Sequence, residues 1–164
     1  NKWIGWLVIL ILGFTSCGVY SFTGAAIAGK TINVHFIENN SRSIVPALSS
    51  TLTEKIRTKI LSQSALSQVN TETADYDLSG SVTGYDVSVA AVNGNDASSK
   101  NRLTITVMID FKNRKDEKAS FSQQFSRFSD FNSDQNIQNV ETKLIGEISD
   151  QIADDIFNKA FVNW

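Results

Sequence analysis

The chain has 164 residues, of which 15 are basic and 17 acidic, for a formal net charge of −2. That balance carries no cationic footprint for nucleic acid. A chain of this length buries enough surface for one core and rarely two, and its single Pro, with no repeat and no low-complexity tract, gives no sign of a second domain.

A basic start at Lys2 leads into the uncharged run Trp3–Phe14 and then into Thr15-Ser16-Cys17-Gly18. The run of twelve residues falls short of the roughly 20 that a bilayer-spanning helix needs. A basic start, a short apolar run and small residues before a cut describe a secretory signal instead. Cys17 is the only thiol, so in a disulfide-permissive compartment it has no partner within the chain. Cleavage before Cys17 and acylation of its sulfur account for it, although Phe14 stands where Leu is usual. The competing reading is a buried free Cys behind an ordinary N-terminal anchor. The expected organisation is residues 1–16 as a lipoprotein signal peptide, 17–30 as a lipidated N-terminus and Gly-rich tether, and 31–164 as a single α+β domain.

Within the domain, Thr31–Glu38 alternates Ile32, Val34 and Phe36 against Thr31, Asn33 and His35, which predicts a strand. Pro46 fits a first helical turn, and Leu48, Leu52, Ile56 and Ile60 recur every fourth residue behind it as one apolar stripe. Leu78–Val92 reads as a strand whose apolar parity shifts beside Gly84, the mark of a bulge or bend. Arg102–Phe111 alternates most cleanly, with Leu103, Ile105, Val107, Ile109 and Phe111 on one side and Thr104, Thr106 and Asp110 on the other. A charged tip, Lys112–Lys118, leads to a third strand with Phe121 and Phe125. From Ser133 a helix is expected to run to the C-terminus on the stripe Ile137, Val140, Leu144, Ile148, Ile152 and Ile156, widened by Ile145 and Phe157. The order β-α-β-β-β-α predicts an α+β two-layer sandwich: a four-stranded, mostly antiparallel sheet with both helices on one face and a polar face left open.

Several residues bear on chemistry. Gly24-Ala-Ala-Ile-Ala-Gly29-Lys30-Thr31 matches the phosphate-loop pattern letter by letter, and Leu103–Asp110 resembles the strand whose terminal Asp would hold Mg²⁺. That loop works only between a strand and a helix, whereas here a strand follows, so nucleotide binding is not expected. His35 is the only His; without a Cys or second His it begins no metal site, and it reads as a surface residue rather than a general base. The acid pairs Asp75/Asp77 and Asp154/Asp155 read as solvated. Lys100 and Arg102 open the cleanest strand, and Arg114 and Lys115 lie at the tip beyond it. These four are the candidate phosphate contacts at a sheet rim, against the alternative of a tip guarded from edge pairing.

Taken together, Cys17–Gly24, Thr31–Val34, Asn101–Val107, Phe125–Phe131, Asp155–Lys159 and Trp164 resemble the LptE-type lipopolysaccharide-assembly lipoproteins of Gram-negative outer membranes. The resemblance implies a helix-covered sheet and a non-enzymatic plug in the lumen of an LptD-type β-barrel that assists lipopolysaccharide delivery. It also implies an address on the inner leaflet of the outer membrane, facing the periplasm and the barrel lumen. The expected partners are that barrel, lipopolysaccharide through its lipid A and core phosphates, and the membrane through the lipid anchor, with no nucleic acid, nucleotide, metal or cofactor. The alternative is a periplasm-facing lipoprotein that activates a peptidoglycan enzyme through its exposed sheet face. A lipid-anchored hydrolase is disfavoured because no nucleophile–base pair stands out.

Overall fold

The computed structural model describes residues 27–90 and 99–162. The expected signal peptide, with Cys17, therefore lies outside the described residues, as do positions 91 and 92 of the second expected strand. Nine elements follow one another: β1 (Thr31–Val34), β2 (Glu38–Asn39), α1 (Pro46–Gln63), β3 (Ser67–Gln68), β4 (Tyr76–Ala90), β5 (Lys100–Asn113), a 3₁₀ turn (Glu117–Ala119), β6 (Phe121–Asn132) and α2 (Ile137–Phe161). The class is α+β, as the periodicities predict.

Both helices form where local chemistry places them. Pro46 starts α1 in its first turn, where no N–H is needed, and Leu48, Leu52, Ile56 and Ile60 are fully buried. Asn136 caps α2, its side chain accepting from the Gln138 N–H at 3.2 Å. The helix thus begins later than Ser133, because β6 runs on to Asn132 and buries Phe131. Buried Leu144, Ile148, Ile152 and Ile156 hold α2 to the sheet, with Ile145 and Phe157 beside them. Small side chains (Ser49, Thr53, Ser149 and Ala153) are buried on the two helices. Lys55 pairs with Asp150 at 2.9 Å, and Lys59 with Asp154, tying α1 to α2 at their surface.

The sheet has six strands rather than four, in the order β3-β1-β4-β5-β6 with β2 beside β4. The long strands β4, β5 and β6 form the expected antiparallel meander. Against it, β1 and β2 run parallel to β4, and β3 runs parallel to β1. The first strand ends at Val34, earlier than alternation implied. After it Ile37 is fully buried, whereas Phe36 is 57% exposed. The Ile37 N–H donates to Thr53 Oγ1 at 3.0 Å, which turns the chain inward one residue out of step. The register of β4 against β5 slips between Val82 and Gly84, so the expected bulge is present. At one end of the core Tyr76, Phe111, Phe121 and Phe161 form a chain of aromatic contacts with centroids 5.3–5.8 Å apart.

Candidate functional site

The strand pleat decides which side chains reach the face that the helices leave uncovered. On β5 the five apolar positions Leu103–Phe111 turn to the helices and are buried, leaving Arg102, Thr104, Thr106, Met108 and Asp110 on the open side. Opposite them β6 contributes Ser126, Phe128 and Asp130, and β4 contributes Asp86 and Ser88. The open face is thus a polar surface of hydroxyls and charges with one large aromatic ring.

Arg102 is the most structured cation on this face. It lies directly across from Asp130 and donates Nε to Oδ1 at 2.7 Å and Nη2 to Oδ2 at 3.0 Å. Its guanidinium carbon sits 3.6 Å above the Phe128 ring. Hydrogen bonding to Asp130 raises the Arg102 pKa further, and the same bonds, with a contribution from the Lys100 charge, hold Asp130 below its ordinary value. Lys100 lies exposed two residues away. The cluster carries two cations and one anion, and Nη1 is the guanidinium nitrogen that Asp130 does not take.

Arg114 and Lys115 stand elsewhere. They lie beyond the opposite end of β5, about twelve residues and roughly 40 Å of strand from Arg102. The four candidate cations therefore form two groups, one at each end of the sheet, and not a single rim. Arg114 donates its backbone N–H to the Asp75 carbonyl and Nε to the Ala74 carbonyl, both at 2.9 Å. Lys115 pairs with Asp75 Oδ1 at 2.8 Å.

Asp75 is far from a solvated acid. Its Oδ2 accepts the Lys30 N–H at 2.7 Å, the Thr31 N–H at 3.2 Å and the Thr31 hydroxyl at 3.3 Å. The Lys115 ammonium, followed by the backbone N–H of Lys30, holds its pKa far below the usual carboxylate range. Asp77, on the open face, accepts from His35 Nε2 at 3.0 Å and from Asn33 Nδ2 at 3.4 Å. Asp154 meets Lys59, and Asp155 accepts from Arg127 at 2.5 and 2.7 Å. All four acids read from sequence as solvated are thus bound to partners about 28–95 residues away, a separation at which no local pattern signals the pairing.

The phosphate-loop match resolves the same way for the residues described. Gly29 donates its N–H to Tyr76 Oη at 3.0 Å, Lys30 and Thr31 give theirs to Asp75, and Thr31 opens a strand, not a helix. The described N–H groups of Lys30 and Thr31 are thus taken by a carboxylate and that of Gly29 by a phenol hydroxyl. Gly29 itself has a structural reason to be Gly, since an added Cβ would collide with the Tyr76 ring.

The described surface also has open concavities. One of about 640 Å³ lies between β6 and the end of α2, lined by Gln123, Arg127, Asp155, Asn158 and Lys159 among others. Another of about 560 Å³ lies between the helices around Lys55, Lys59, Asp150 and Asp154. Both are open and floored by ion pairs, whereas small-molecule sites are enclosed and mostly apolar. The side-chain partners of His35 are Asn33 and Asp77, with no hydroxyl or thiol among them. Among the described residues no group of three or more His, Cys, Asp and Glu is placed to hold a metal. None of the described helices is long and apolar enough to cross a membrane.

The described chain is thus a helix-backed sheet with a polar open face. The chain belongs to the lipopolysaccharide-assembly family LptE, which matches residues 29–160. Among solved structures, a hypothetical protein from Chlamydia trachomatis shares the fold at a TM-score of 0.54 and 8% identity, over 82% of this chain and 98% of that one. The rare lipoprotein B from Shewanella oneidensis matches at 0.49 and 14% identity, over 79% and 92% of the two chains. A minor lipoprotein from Acinetobacter baumannii matches at 0.46 and 16% identity, over 79% and 91%. A comparison with curated proteins gives no match.

Proposed function

We propose that this chain is a non-enzymatic lipoprotein, cut after residue 16 and acylated at Cys17, that sits in the lumen of an LptD-type outer-membrane β-barrel and assists lipopolysaccharide assembly. Membership of the lipopolysaccharide-assembly family supports the general role. The observation that carries the finer reading is the polar open face of the meander, on which Arg102, Thr104, Thr106 and Ser126 stand where an apolar core face would be expected of a sheet packed on both sides. Large barrels have polar interiors, and a polar sheet face suits that surround. On this reading Lys100 and Arg102 are the first candidates for lipid A phosphates. Arg102 is held flat by Phe128 and Asp130, which leaves Nη1 as the guanidinium nitrogen that Asp130 does not take. Arg114 and Lys115 keep a secondary place, because they lie at the other end of the sheet, held by the Ala74 carbonyl and the Asp75 carboxylate.

The test is co-purification of the full chain after mild detergent extraction. Recovery of a large β-barrel supports the plug. Recovery of a peptidoglycan synthase in its place would favour an activator that uses the same face and would contradict the proposal.

A further inference from the structure

The sheet ends at β3 on one side, a strand of two residues, and at β6 on the other, a strand of twelve. Natural sheets guard a long edge with Pro, a bulge, a Lys or a covering element, because an unguarded edge pairs with other chains. Strand β6 contains no Pro and no Lys, and its register with β5 runs from Phe121 to Asn132 without a slip. Both of its charged residues are matched within the domain, Arg127 by Asp155 and Asp130 by Arg102.

The ladder fixes which backbone groups this edge presents. Ser133 donates its N–H to the Ser99 carbonyl at 3.0 Å, one step beyond the Lys100–Asn132 pair. Bonded pairs alternate in an antiparallel ladder, so the odd-numbered residues of β6 turn their N–H and C=O groups to β5. Ser122, Gln124, Ser126, Phe128 and Asp130 therefore aim both groups outward. Among the described residues these outward groups have no backbone partner. The concavity of about 640 Å³ runs along this edge: residues 123–127 form one wall, and Asp155, Asn158 and Lys159 of α2 form the other. A trough between a bare strand edge and a helix admits an extended chain, which adds to the sheet through main-chain hydrogen bonds while alternate side chains lie against the helix.

We propose that this edge receives an extended segment of the barrel partner as a further strand of the sheet. The proposal rests on the barrel reading given above. A closed barrel has no free edge of its own, so the segment comes from outside the barrel wall. The groove indicates its chemistry. Lys159 forms no ion pair among the described residues, and its ammonium lies 5.8 Å from the Phe121 ring. The segment therefore carries an acidic side chain toward α2, and no Pro where its N–H must donate to β6. A second copy of this chain is a poorer occupant, because the one acid of its β6, Asp130, is already held by Arg102. A strand added in the plane of the sheet leaves the polar face bare for the lumen.

The experiment uses full-length acylated protein, alone and co-purified with its barrel in detergent, with amide exchange resolved to single residues by mass spectrometry. The amides of Gln124, Ser126 and Phe128 are expected to exchange at least about tenfold more slowly in the complex, while those of Phe125 and Arg127, bonded to β5 in both states, change little. Gln124→Pro deletes one outward N–H and leaves the β5 ladder whole. It is expected to weaken the complex about fivefold or more, whereas Gln124→Ala, which keeps the N–H, stays within about twofold of the parent. Unchanged exchange at the three amides in a recovered complex would overturn the added strand and leave the barrel reading standing; the parent's exchange decides this even where Gln124→Pro fails to fold. Protection that appears in the protein alone and grows with concentration would also overturn it, and would point to a second copy. Recovery of no barrel would overturn the underlying reading and the added strand with it, a separate result seen before any exchange is measured.

Discussion

Ile152→Ala removes every side-chain carbon beyond Cβ from the middle of the α2 stripe. Ile152 is fully buried, and so are Ile148 and Ile156, one turn away on either side. Three lost methylene equivalents at ~0.8 kcal/mol each give about 2.4 kcal/mol of transfer free energy. The cavity adds to this because neighbours held by a rigid sheet relax only in part, so the expected cost is about 3–4 kcal/mol, within the ~2–5 kcal/mol typical of such truncations. A domain of this size has about 5–15 kcal/mol in total, so the loss is a large share. It corresponds to a fall in Tm of roughly 10–15 °C. Thermal unfolding of the soluble domain, with a denaturant titration as a second measure, reads it directly. A Tm within about 2 °C of the parent would refute the reasoning, since it would mean that this stripe faces solvent or a partner.

Other outcomes follow from other parts of the structure. Gly146 lies inside α2 with nothing within 4 Å of a Cβ placed there, so Gly146→Ala is expected to stabilise the domain by about 0.5–1 kcal/mol, seen as a higher denaturation midpoint. The Asp75 pKa is depressed on folding, so its contribution is present above the unfolded value near 4 and is lost as pH falls through that range. Urea midpoints measured between about pH 5 and pH 2 should therefore fall less steeply for Asp75→Asn than for the parent, with Asp130 supplying part of the remaining slope. Lys100→Ala with Arg102→Ala is expected to leave the domain folded and to weaken lipopolysaccharide binding several-fold at low salt, with the gap closing as salt rises. Identical affinities at both salts would remove this cluster from lipid recognition.

The architecture was legible wherever a period ran long enough. The fourfold spacing of Leu48, Leu52, Ile56 and Ile60 and the alternation from Leu103 to Phe111 each have one physical solution, and both are found. The bulge was readable because a parity shift next to Gly84 has few other causes. By contrast β2 and β3 have two residues each, too few for any period, and exist only because β4 and β1 offer them hydrogen-bonding edges. The inward turn at Ile37 was hidden for a related reason: it depends on Thr53, sixteen residues away on α1. The charges were hardest to read. Position along the chain placed Lys100, Arg102, Arg114 and Lys115 near β5, but a 14-residue strand puts its two ends roughly 40 Å apart. The role of Asp75 depends on Lys30, Thr31 and Lys115, which only the tertiary fold gathers. The proposed lipid attachment has the opposite character, since it is argued from the stretch ending at Cys17 and needs no fold to be read.

The central claim is that the open sheet face meets the inside of a β-barrel. A photo-crosslinking side chain at Thr106, mid-face on β5, tests it in intact cells. The expected result is one major adduct with a large outer-membrane β-barrel, mapped by mass spectrometry to a lumen-facing strand position, while the same probe at the exposed helical position Lys143 gives a different pattern or none. A Thr106 adduct with a peptidoglycan synthase, or no protein adduct at that position, would contradict it.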